Sequence, residues 1–137
     1  MKKILSGCSL IAALFLFFLL PACKKENKCV AGQGGNVELV VKLNHHGMSI
    51  PNDSLKPDTV WVLFNATGWK NAPAGYNMMV IGEPGEDHIH VDGLRCGDYY
   101  LHGAGWDTSL NETVRGGIGT SFSTTSGEVV VEIPVSE

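Results

Sequence analysis

The chain has 137 residues, with 10 basic and 14 acidic side chains, a formal charge of −4, five histidines and four cysteines. That length suits one small domain and excludes a multi-domain enzyme or a (β/α)-barrel. The acidic balance, with no basic patch, excludes a nucleic-acid partner.

Residues 1–22 read as an export signal. Lys2 and Lys3 give a positive start, and every residue from Leu10 to Leu20 is apolar. As a helix this run would rise about 16 Å, too short for a hydrocarbon core of about 30 Å. It is therefore a signal helix and not a membrane span. The stretch ends in Leu20-Pro21-Ala22-Cys23, where a small residue directly before cysteine resembles the lipobox of bacterial lipoproteins. The resemblance implies that Cys23 becomes a lipidated N-terminus held to a membrane by acyl chains. Ordinary cleavage near Ala22 is the alternative. Residues 23–35 are then the lipidated cysteine and a flexible tether, opening with the charged Lys24-Lys25-Glu26-Asn27-Lys28. Lys24 stands where inner-membrane lipoproteins often carry Asp, which by the same resemblance implies the outer membrane of a cell envelope, with either face open.

Cys8 leaves with the signal and Cys23 takes lipid, so Cys29 and Cys96 remain as an even pair in an oxidising compartment. A disulfide between them is the expected state, and two unpaired thiols the alternative.

Residues 36–137 show no helical stripe and read as about seven short strands. Over 36–43, Val37, Leu39, Val41 and Leu43 alternate with Glu38 and Lys42. The stretch 59–66 is apolar on both faces, as a central strand would be. Further strands are expected at 76–81, 88–92, 98–105 and 128–135, with a weaker one near 121–125. Short strands between turn signals indicate an all-β fold, a small antiparallel β-sandwich of transthyretin-like or immunoglobulin-like kind.

Several short motifs resemble the transthyretin-like, carboxypeptidase-regulatory-like family of sandwich domains. They are Gly47-Met48-Ser49-Ile50-Pro51 after the first strand, the corner Leu94-Arg95-Cys96-Gly97-Asp98-Tyr99, Gly105-Trp106-Asp107, and the closing strand Val129 to Ile133. Two departures are Cys96 in place of the usual Pro and a longer turn over 52–58. The resemblance implies a binding or spacer module and carries no chemistry of its own.

The candidate chemistry lies in the histidines. In His88-Ile89-His90 the two imidazoles share a strand face about 6.6 Å apart, a gap that one ion can bridge. Ile89 and Val91 should face inward, placing His88, His90 and Asp92 outward, near the carboxylates of Glu83, Glu86 and Asp87 with no nearby cation. His102, with Tyr100, is expected on the outward face of the next strand, and His45 and His46 in the turn after the first. Imidazole with carboxylate suits Zn²⁺, Cu²⁺, Ni²⁺ or Fe, and Met48, Met78 and Met79 would add soft ligands. The competing reading makes these ordinary outward polar positions, with Met78 in the core and Met79 exposed. A pH sensor is a further alternative.

An enzymatic alternative starts from the same His-x-His strand, which resembles the two-His, two-Tyr iron site of intradiol dioxygenases. Tyr76 could imitate one tyrosinate there, but the chain is far shorter and lacks the Arg-containing substrate motif. No nucleophile elbow, phosphate loop or His-Glu-x-x-His is present. Trp61, Trp69 and Trp106 could line a sugar or peptide site, or enter the core. The sequence therefore points to a lipid-anchored envelope module that binds a transition metal or metal-bearing ligand and catalyses nothing. A structural accessory of an envelope assembly or transporter, with a protein partner there, is the alternative.

Overall fold

The computed structural model describes residues 29–68 and 75–137. The signal over 1–22, Cys23, the charged start of the tether and Trp69 lie outside the described residues. Eight strands are found among the described residues: β1 Gln33–His45, β2 Met48–Ser49, β3 Thr59–Phe64, β4 Met78–Ile81, β5 Ile89–Leu94, β6 Gly97–Asp107, β7 Glu112–Phe122 and β8 Ser126–Pro134. No helix occurs among the described residues.

Alternation explains how each strand lies. Val37, Leu39, Val41 and Leu43 are all at most 1% exposed, while Glu38, Lys42 and Asn44 face outward. Ile89 and Val91 of β5 face inward in the same way. The first sheet has β1 at its centre, with β8 on one side and β5 and β2 on the other. The second runs β4-β3-β6-β7. Between them lies one core, centred on Leu39, Leu43, Val60, Val62, Tyr99, Leu101 and Ile133.

Two details differ from expectation. All pairs are antiparallel except β1 with β8, which run parallel from Asn36↔Ser126 to Asn44↔Pro134. A parallel pair needs a long crossover, and the excursion through the second sheet supplies it. The strand expected near 121–125 is instead the 11-residue β7. Its glycines depress strand propensity, yet they are needed where neighbours crowd in. A Cβ on Gly116 would strike the carbonyl of Pro134, and one on Gly119 would strike that of Thr67.

The tether's end is fixed to the fold. Cys29 and Cys96 form a disulfide, with Cα atoms 5.0 Å apart. The Tyr99 hydroxyl donates to the carbonyl of Arg95 at 2.5 Å and accepts from the Gly32 amide at 3.0 Å. Its ring stacks on Phe122 and meets Phe64 edge-on. The Leu94-x-x-Gly97-x-Tyr99 segment is thus a tyrosine corner that ties the first described residues to the start of β6. Gly97 has φ +147°, and a Cβ there would collide with the Ala31 amide nitrogen.

Candidate functional site

The outer face of the first sheet is charged. On β5 and the turn before it, Glu86, His88 and His90 project to one side, since alternation continues backward from the strand. His90 pairs with Val40 of β1, so Glu38 and Lys42, flanking Val40, lie beside the histidines.

Each imidazole is held by a carboxylate. His88 Nδ1 is 2.8 Å from Asp87 Oδ1, and His90 Nδ1 contacts Glu38 Oε1. Carboxylates only accept, so both Nδ1 atoms carry the proton and both Nε2 atoms are turned toward each other. They stand 2.9 Å apart, and each is 3.9 Å from Glu86 Oε2. Glu86 Oε2 is shut off from solvent and has no hydrogen-bond partner. A point in the plane of these three atoms lies about 2.1 Å from each, inside the roughly 2.0–2.2 Å range of zinc bonds to imidazole and carboxylate. Carboxylates behind the distal nitrogens are the usual outer support of metal-binding histidines. The Glu38 hydrogen bond holds the His90 pKa above its ordinary value. Hydrogen bonding from His88, then from Lys42, holds the Asp87 carboxyl below its own.

The loop carrying Glu86 and His88 hangs on one buried side chain. The Asn52 amide donates to the Glu86 carbonyl at 2.7 Å, and its side-chain Nδ2 donates to the carbonyls of Glu86 and His88 at 3.3 and 3.1 Å. Asn52 Oδ1 accepts from the Asp58 amide at 2.9 Å, and its carbonyl accepts from Gly85 at 3.1 Å. Gly82 leaves the room, since a Cβ there would collide with Asn52 Oδ1. Asp58 is itself buried, with Oδ1 lacking a partner, and desolvation pushes its pKa up to about 7.

The other predicted residues do not join this donor set. Asp92 shares the face and contributes to the field at His90, but Glu86 takes the position expected of it. The carboxylates are not without a cation, because Lys42 Nζ donates to Asp87 Oδ2 at 3.0 Å. His102 is on the outer face of the second sheet, beside Trp61 and Tyr76, with ring centroids 5.6 and 6.2 Å away. Burial and then Arg115 lower its pKa. The chain crosses between sheets at Arg95 and Cys96, so the outward faces of β5 and β6 lie on opposite sides of the sandwich. Tyr76 packs on Tyr100 at 6.5 Å on that same far face and is not brought to His88 and His90. His45 and His46 stand together at the end of β1. Met78 packs against the core, Met79 is exposed, and Lys56 lies over the Trp106 ring. Compared with protein families, with curated proteins and with solved structures, the chain has no match in any of the three.

Proposed function

We propose that the protein is a lipid-anchored cell-envelope binding module, a bacterial lipoprotein with a transthyretin-like sandwich, whose cargo is a first-row transition metal held by Glu86, His88 and His90. The observation that carries this reading is the convergence of Glu86 Oε2 and two Nε2 atoms on one point at metal-bonding distance. The donor set of two imidazoles and one carboxylate suits Zn²⁺, Cu²⁺ or Ni²⁺. Three protein ligands at an exposed surface leave coordination positions open, which favours an ion that is taken up and passed on.

Titration calorimetry with Zn²⁺, on protein made without a polyhistidine tag, tests the reading. His88→Ala and His90→Ala should each weaken binding by roughly 100-fold or more, since loss of an outer-shell partner alone costs about 10–100-fold. Protons compete with the ion for Nε2, so affinity should fall as pH drops. With the His90 pKa held above 6.5, that fall begins above pH 6.5. Equal heats from wild type and both variants would leave a structural accessory module instead.

The anchor is supported by the apolar run before Ala22-Cys23. Cys23→Ser should move the protein from the membrane to the soluble envelope fraction, because the acyl chains supply the burial. Unchanged sedimentation with membranes would overturn the lipid reading.

A further inference from the structure

His45 closes β1 and is 4% exposed. Its Nδ1 lies 2.7 Å from Asp107 Oδ2, and Asp107 is fixed in turn, because its Oδ1 accepts from Ser109 Oγ at 2.6 Å, Ser109 N at 2.8 Å and Leu110 N at 3.3 Å. The proton on Nδ1 is therefore committed to a carboxylate, and Nε2 is directed at Glu137 Oε2, 3.2 Å away. That spacing serves a hydrogen bond or two donors to one ion equally well. Two donors about 2.05 Å from a shared ion stand about 3.2 Å apart when the angle at the ion is about 100°.

The third donor comes from the turn. His46 and Gly47 have φ of 51° and 81°, the two-residue hairpin geometry joining β1 to β2. This turn folds the His46 ring back over His45, with centroids 4.1 Å apart. Donor atoms of His45, His46 and Glu137 all fall within 4.8 Å of one another. Glu137 is delivered by paired backbone. Val135 N donates to the Asn44 carbonyl at 3.0 Å, and Arg115 and Ser136 exchange bonds of 2.8 and 2.9 Å.

We infer that His45, His46 and Glu137 form a second divalent-metal site, with Asp107 orienting His45 from behind. An ion there joins the β1 turn, the segment after β8 and, through Asp107, the end of β6 in the other sheet. It is a structural ion that closes one end of the sandwich, and it does not depend on the Glu86–His88–His90 reading.

Zn²⁺ titration and thermal melts of the untagged full chain decide the matter, using His88→Ala/His90→Ala and the same double variant with His46→Ala or Glu137→Gln added. His46 and Glu137 are exposed, so these changes spare the core, and buried His45 is left intact. The double variant should still bind one equivalent of Zn²⁺ and gain Tm on binding. Adding His46→Ala or Glu137→Gln should weaken that residual binding at least tenfold and abolish the gain. A double variant that binds no Zn²⁺, or residual binding that neither exposed change affects, overturns the inference. If wild type binds a single equivalent that survives in the double variant and is lost with His46→Ala, the second site stands and the first reading falls.

Discussion

Removing the Cys29–Cys96 bridge should lower the unfolding free energy by about 4 kcal/mol, the loop-closure entropy for cysteines separated by 67 positions. The bridge joins the tether's end to the turn between β5 and β6, so most of the first sheet and half the second lie inside the closed loop. Its loss leaves the chain before β1 held by non-covalent contacts, among them the Tyr99 hydroxyl and Arg95 amide at Gly32, the Asn65 side chain at the Ala31 carbonyl, and buried Ala31 against Gly97. Denaturant melts of oxidised wild type and of Cys29→Ala/Cys96→Ala give the difference directly. An unfolding free energy unchanged within about 0.5 kcal/mol, roughly the scatter of surface substitutions, would show that the bridge adds nothing beyond the folded contacts.

Asn52→Ala should cost about 3 kcal/mol and should also impair metal binding. The substitution leaves the His88 carbonyl and the Asp58 amide short of their side-chain partners in a buried setting, at about 1–3 kcal/mol for each orphaned group. It also opens a cavity against Gly82. For a domain of this size the Tm should fall by roughly 12–24 °C. Asn52 clamps the backbone at two of the three ligand positions, so Zn²⁺ affinity measured well below the lowered Tm should drop about tenfold. A full loss of stability with untouched affinity would mean that Glu86 and His88 hold their places without it.

Much of the fold is legible because burial imposes period two. Val37 to Leu43 and Ile89 to Val91 declare their inward faces, and Leu94-x-x-Gly97-x-Tyr99 declares its corner. What stayed hidden depends on pairing between distant strands. β7 is masked by Gly116, Gly117 and Gly119, whose reason is the close approach of Pro134, Tyr100 and Thr67. The parallel run of β8 beside β1 has no local signature. At the site, His88 and His90 are visible from spacing, and Glu86 extends the same alternation into the turn. Glu38 and Lys42 reach the histidines only through the β1–β5 register. His102 does lie on the outward face of the next strand, but its nearness in sequence to His88 and His90 does not say that the chain changes sheets between β5 and β6 and carries it to the opposite side of the sandwich.

The antiparallel pairing of β1 with β5 also gives the domain two poles. Gln33 meets Leu94 near the Cys29–Cys96 bridge, while Val41 meets Ile89 close to Glu86 and His88, and β1 ends at His45. Eight residues of nearly extended chain separate His88 from Cys96, roughly 25 Å. The six residue steps from Cys23 to Cys29 reach at most about 22 Å. A domain moored to a bilayer through Cys23 and standing end-on would hold both histidine clusters toward the water, about its own length from the headgroups. Ions would reach them from the aqueous side, or from a docking protein, without competing with lipid phosphates.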